Sequence, residues 1–122
     1  MIKGMKPITR LLIALALPML ALVLPAVATT DSVITVCVSG PPTCDTASIQ
    51  AAINAANFGD TIVVAAGTYT EQLTLKSGIT LTSTDGPTST IVMATSGPIV
   101  LAEAVTATQF SGFTVDGSAI LT

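Results

Sequence analysis

Residues 44–60, CDTASIQAAINAANFGD, followed by Thr61-Ile62-Val63-Val64, decide how this chain is read. Ile49, Ala52, Ile53 and Ala56 fall at i, i+3, i+4 and i+7. That is one narrow apolar stripe, and it predicts a helix of about three turns. Asp45 or Thr46 stands where an N-cap is wanted, and Gly59 where a left-handed stop is wanted. Gln50, Asn54 and Asn57 lie off the stripe and read as a solvated face.

After Gly59 the period changes. Short apolar triplets follow one another: Ile62-Val63-Val64, Leu73-Thr74-Leu75, Ile79-Thr80-Leu81, Ile91-Val92-Met93, Ile99-Val100-Leu101 and Phe113-Thr114-Val115. Gly67, Gly78, Asp85-Gly86-Pro87, Ser96-Gly97-Pro98 and Asp116-Gly117 punctuate them. Several alternate apolar, Thr, apolar, as a strand with one inward face does. The triplets start at Ile62, Leu73, Ile79, Ile91, Ile99 and Phe113, too unevenly for a fixed-length repeat. Many short strands fit a β-sandwich of hairpins or a parallel β-helix. The helix favours the second. A β-helix end exposes core and unpaired strand edges, and an amphipathic helix just before the first strand would cover them. The predicted class is all-β, a parallel β-helix with an N-terminal capping helix.

The same residues resemble a known family. Ser48-Ile49-Gln50-Ala51-Ala52-Ile53-Asn54-Ala55-Ala56, then Gly59-Asp60-Thr61-Ile62-Val63-Val64, then Ala65-Ala66-Gly67-Thr68-Tyr69-Thr70-Glu71 is similar to the N-terminal region of right-handed parallel β-helix proteins of the pectin-lyase-like superfamily. Residues 110–117, FSGFTVDG, resemble a generic rung of that fold. Ala66 departs from the pattern, which often has Pro before this Gly. The resemblance implies that Gly59 makes the turn out of the capping helix. It implies that Gly67 makes a bend where a Cβ would clash. Tyr69 would pack as a flanking aromatic with its hydroxyl at the surface. Ile49, Ala52, Ile53, Gly59, Asp60, Gly67, Tyr69 and Glu71 are thus the expected fold-defining set. Asp60 and Glu71 invite a reading as a catalytic carboxylate pair. Beside turn glycines, bonding to local backbone N–H groups is the preferred reading.

Working outward to the N-terminus, Lys3, Lys6 and Arg10 precede the apolar run LLIALALPMLALVL at residues 11–24, and Ala26-Val27-Ala28 follows. A positive start, a short apolar run and a small-x-small exit describe a secretory signal peptide. An uncleaved anchor is the alternative, but Pro18 and Pro25 interrupt the run. The expected cut follows Ala28, giving a signal peptide over 1–28, an N-terminal strand and cysteine loop over 29–44, and the capping helix with its rungs over 45–122. Contact with membrane is expected only through the signal segment. This leader also explains a mean hydropathy of +0.80, high for a soluble domain.

Cleavage changes the charge arithmetic. The whole chain has four basic and seven acidic residues, net −3. After residue 28 all seven acids remain against Lys76 alone, a side-chain net charge of −6. Nucleic acid is therefore not an expected partner, because phosphate binding needs clustered Lys and Arg. Histidine is absent, which removes imidazole-based triads and His-ligated zinc. Cys37 and Cys44 bracket VSGPPT, a turn-forming loop. In an exported chain they are expected to form a disulfide rather than a metal site or a redox dithiol. No metal or cofactor is expected.

In the family named above, catalysis leans on Arg or Lys beside carboxylates, well past the cap. Here the mature part has no Arg, and Lys76 stands alone. Asp31, Asp45, Asp60, Glu71, Asp85, Glu103 and Asp116 are scattered singly along the chain; stacking could still align some of them as a glycosidase pair. The expectation is an exported, non-catalytic β-helix domain of a secreted or cell-surface protein, with a structural, adhesive or glycan-contacting role. The alternative is the leading segment of a pectinesterase-like or polysaccharide-lyase-like enzyme whose catalytic residues follow Thr122. Extracellular glycan, or further rungs of a longer protein, are the expected partners. Ala119-Ile120-Leu121-Thr122 reads as a strand start without a polar cap. The expectation there is a longer β-helix or association through an open end, against a domain that closes on itself.

Overall fold

The computed structural model describes residues 30–121. The signal peptide read over residues 1–28, with its cut after Ala28, lies outside them. Among the described residues ten strands and one helix follow in order: β1 (Val33–Val36), α1 (Ile49–Ala55), β2 (Thr61–Val64), β3 (Gly67–Thr70), β4 (Leu73–Thr74), β5 (Thr80–Ser83), β6 (Thr90–Met93), β7 (Val100–Ala102), β8 (Gln109–Ser111), β9 (Thr114–Asp116) and β10 (Ala119–Leu121).

The strands build three sheets, ordered β1-β2-β5-β8, β3-β6-β9 and β4-β7-β10. Every ladder between the described strands is parallel. From β2 onward the chain visits the three sheets in a fixed cycle and returns to the first every third strand. Each cycle is one pass. The architecture is predominantly β, with one short helix, and it is compatible with a β-helix. A sandwich of hairpins would need antiparallel neighbours, which these ladders do not supply.

Parallel register stacks like on like. Ile34, Ile62, Leu81 and Phe110 form one column, while Tyr69, Val92 and Val115 form another. Alternate residues of each strand point inward, so β2 runs half-buried, buried, half-buried, buried from Thr61 to Val64. Ile62, Ile79, Leu81 and Val92 are fully buried, each worth about 1.5–3 kcal/mol of apolar transfer. One buried hydroxyl, Thr90 Oγ1, shares a 2.6 Å hydrogen bond with Ser83 Oγ. It therefore escapes the cost of an unpaired polar group.

Several local expectations change. The helix spans seven residues, two turns rather than three, because Ala56 already has extended geometry at the C-cap. Ala56 is still buried, so the apolar stripe outruns the helix. The N-cap is Ser48, whose Oγ accepts from Ala51 N–H at 3.1 Å. Asp45 is unable to cap because its carboxylate is held by Thr35 N–H and Thr35 Oγ1, both at 2.7 Å. Thr46 Oγ1 accepts from Ser48 N–H instead. Gly59, at φ +100°, stands beyond the C-cap and donates to Gly78 O at 2.7 Å; it turns the chain into β2 rather than ending the helix.

The uneven triplet starts have two physical causes. First, the stretches from Ile62 to Leu73 and from Ile99 to Phe113 conceal β3 and β8. Second, passes differ in length. In the first sheet Thr61 pairs with Thr80, but from Thr80 the chain travels on to Gln109 before it pairs again, a longer circuit. In the second sheet the two steps are equal, Gly67 to Thr90 and Ile91 to Thr114.

Candidate functional site

The titratable side chains of the first passes converge on backbone. Glu71, in the turn after β3, reaches back to the start of α1. Its Oε1 accepts from Ile49 N–H, and its Oε2 from Gln50 N–H and Ser48 Oγ, all at 2.9 Å. A helix start leaves such N–H groups without partners. An ordinary capping box would supply the carboxylate from the third helical position, but here that residue is Ala51. Glu71 supplies a carboxylate from the next pass instead, taking the first two helical N–H groups rather than that of the N-cap, at a sequence separation of 22 from Ile49. Its role is thus not in its own turn, where local bonding is expected, but in the segment stacked above.

The other end of α1 is met by the same stretch of chain. Lys76 Nζ donates to Asn54 O at 3.2 Å, the cation lying where the helix dipole is negative. Between the two, Gln50 Oε1 accepts from Thr74 N–H at 2.7 Å and Gln50 Nε2 donates to Thr74 O at 3.4 Å. Gln50 lies off the apolar stripe, yet it is not simply solvated: its amide pairs with the outer edge of β4 as a neighbouring strand would.

Asp60 is 3% exposed. Its Oδ1 accepts from Ser32 N–H at 2.9 Å and its Oδ2 from Asn57 N–H at 2.8 Å. The Asn57 and Ser32 N–H groups hold its carboxyl below the usual carboxylate range, against the opposing effect of desolvation. Asp45 is lowered in the same way by the Thr35 hydroxyl and N–H. Asp85 Oδ2 accepts from Thr84 Oγ1 at 2.7 Å and from Ala66 N–H at 3.3 Å. Acid–base catalysis wants a proton affinity near the working pH; Asp45 and Asp60 are displaced the other way.

Tyr69 is 3% exposed and donates its hydroxyl hydrogen to Ala65 O at 2.8 Å. The resemblance puts this hydroxyl at the surface; here it is partly buried and bonded to a backbone carbonyl, the acceptor that a phenol withdrawn from water needs. Desolvation, then the Glu71 charge, push its pKa up. Gly67, at φ +154°, opens β3 just after the corner from β2, and a Cβ there would run into Val38 Cγ2. Cys37 and Cys44 form a disulfide with Cα atoms 6.0 Å apart, a bond that persists in oxidising compartments. Ile49, Ala52 and Ile53 are each at most 1% exposed and lie in the main core.

A polar cavity of about 300 Å³ opens beside these groups, lined by Val38, Ala47, Ser48, Thr68, Tyr69, Thr70 and Glu71. A second hollow of about 150 Å³, lined by Gln72, Ala94, Thr95 and Ser96, shares Thr70 and Glu71 with it. Ser48 and Glu71 on its wall have the distance of a nucleophile and its base. Both are already engaged by Ala51, Ile49 and Gln50 N–H groups, which makes the pair a cap. Among the described residues, no group of three His, Cys, Asp or Glu could hold a metal ion. Nor is any helix among them long and apolar enough to cross a membrane. Of the residues built into this region, Ser48, Gln50, Asp85 and Lys76 gain their structural roles only here. Ser48 is detectable in the sequence as a cap residue directly before the stripe; the others depend on contacts between passes. Compared with known protein families, curated proteins and solved structures, the chain matches none.

Proposed function

We propose that this chain is an exported, non-catalytic, right-handed parallel β-helix domain of a secreted or cell-surface protein, with a structural or adhesive role. The observation that carries the reading is the use made of four of the seven carboxylates among the described residues. Asp45, Asp60, Glu71 and Asp85 are each engaged by backbone N–H groups of other segments. Lys76, the single basic side chain among the described residues, rests on a helix carbonyl. Such charges staple successive passes together. They are not set out as an acid, a base and a cation around an open cleft, which cleavage of an acidic polysaccharide would need. The three-sheet cycle supports the β-helix, and parallel crossovers in one sheet are overwhelmingly right-handed. The apolar leader and the disulfide support export.

On the outward faces Thr61 stacks on Thr80 and Thr82 on Ser111, while Thr68 and Thr114 stand on either side of Ile91 in one column. They offer hydroxyls for weak contact with neutral glycan, without a Trp platform to strengthen it. The test is direct. The secreted protein is incubated with homogalacturonan, methyl-esterified pectin and a neutral β-glucan. Reducing ends, unsaturated products and released methanol are then followed. All three should stay at background; a signal above it that scales with protein refutes the non-catalytic reading. N-terminal sequencing of the secreted chain should begin at Thr29, and retention of residues 11–24 would refute cleavage.

A further inference from the structure

Three strands, β1, β3 and β4, form the outer edges of the three sheets at the N-terminal end of the stack, and they are treated differently. The edge of β1 is covered: Asp45 N–H and Thr46 N–H donate to Thr35 O at 3.0 and 3.2 Å, and Asp45 Oδ2 takes Thr35 N–H. The edge of β4 is covered by the Gln50 amide. The edge of β3 is different. Gly67 N–H donates to Ser89 O and Glu71 N–H to Met93 O, both on the β6 side. In a parallel ladder the alternate residues, Thr68 and Thr70, then turn their N–H and C=O groups the other way. Among the described residues no hydrogen bond reaches those four groups. Thr68 and Thr70 both line the 300 Å³ cavity, together with Val38, Ala47 and Ser48 of the preceding segment.

We propose that this bare edge of β3 is a docking site for an extended, positively charged peptide segment of a partner protein. Thr68 and Thr70 supply two N–H donors and two C=O acceptors, the pattern that adds a strand to a sheet edge. β3 has four residues, about 13 Å of pairing length, and the added strand would run about 4.8 Å away. Charge selects the occupant. Glu71 lies on the cavity wall, and among the described residues its Oε1 accepts only from Ile49 N–H, leaving acceptor capacity for an ammonium. The described residues carry seven acids and one Lys, so the surrounding potential attracts cations and repels acidic strands. Val38, 58% exposed, and Ala47 flank the slot and suit the aliphatic stem of a lysine. A second hollow, also lined by Thr70 and Glu71, lies at the end of β3. The helix N-terminus itself is not the site, since Glu71 and Ser48 already fill it. The inference is independent of export and of glycan contact.

The test uses the purified protein and three synthetic heptapeptides: alternating Val and Lys, the same with alternate amides N-methylated, and alternating Val and Glu. Amide chemical shifts are followed by NMR. The Lys peptide should move the Thr68 and Thr70 amides in a saturable way. N-methylation on the pairing edge, and replacement of Lys by Glu, should each weaken binding about tenfold or more. The proposal is overturned if Thr68 and Thr70 do not respond, or if the N-methylated or Glu peptide binds equally well. It is also overturned if those two amides resist hydrogen exchange in the free protein, since the edge is then filled by the chain itself. Concentration-dependent shifts without peptide would assign it to a second copy and overturn it equally. Val38→Lys, which places a like charge beside the slot, should weaken the Lys peptide and leave the core amides of Ile62 and Leu81 unmoved.

Discussion

Replacing Glu71 with Ala removes a carboxylate that accepts three hydrogen bonds at the start of α1. A seven-residue helix has no stability of its own, so its start depends on these contacts and on burial of Ile49 and Ile53. A hydrogen bond to a charged group contributes about 1.5–3 kcal/mol net. The three share one side chain, and Glu71 is half-exposed, so water replaces part of what is lost. The dipole adds about 0.3–1 kcal/mol. Ser48 keeps its bond to Ala51, a contribution of about 1 kcal/mol that survives the change. The expected cost of Glu71→Ala is therefore about 2–3 kcal/mol, and of Glu71→Gln, which keeps one acceptor, about 1–2 kcal/mol. Urea unfolding with an unchanged m-value measures it, and hydrogen exchange at Ile49 and Gln50 locates it. Costs below about 0.5 kcal/mol for both variants would refute the clamp, as would unaltered exchange at those two amides.

Asp60 has a pKa lowered from its usual 3.8 by the Asn57 and Ser32 N–H groups. The stability it contributes is complete above 3.8 and is lost as pH falls through the lower folded value. Asp60→Asn should thus be less stable than wild type near about pH 7, with the gap closing toward about pH 2; a gap independent of pH contradicts this. Replacing both Cys37 and Cys44 with Ser opens a short loop, of sequence separation 7, which chain entropy values at about 2.5 kcal/mol. The thermal midpoint should fall accordingly, and an unchanged midpoint would show that the loop is held by its hydrogen bonds alone. Gly67→Ala drives a Cβ into Val38 Cγ2 and should cost about 1–3 kcal/mol. Adding Val38→Ala should recover part of that, so strictly additive losses would contradict the contact.

Periodicity makes the core-facing residues visible and leaves the connecting ones hidden. Ile49, Ala52 and Ile53 announce a helix because 3.6-residue spacing is local, and Ile62-Val63-Val64 announces a strand for the same reason. β3 escapes because it begins on a glycine that reads as a breaker and has Tyr69 as its one inward residue. β8 escapes because Phe110 is its only apolar side chain. Glu71, Gln50 and Lys76 are illegible as a group. They act at sequence separations of 22, 24 and 22, and only register places Thr74 beneath α1. The absence of His, and of Arg after residue 10, is by contrast readable at once from composition.

The unequal passes bear on what the chain can tolerate. In the sheet β4-β7-β10 the step from Leu73 to its partner Val100 is much longer than the step from Val100 to Ala119, yet the ladders stay in register. Length is absorbed at the corners, not along the strands. In the corner between β7 and β8, exposed Glu103 and Ala104 are therefore a natural insertion point, ahead of Val105, which packs on the core, and of Thr106 and Thr108, which bond the turn at Lys76–Gly78. Doubling a loop there costs only about 0.6 kcal/mol of closure entropy, whereas one residue added inside Leu81's strand would turn its core face outward. The framework is a shelf of fixed spacing whose brackets can be lengthened or redecorated without disturbing what it holds.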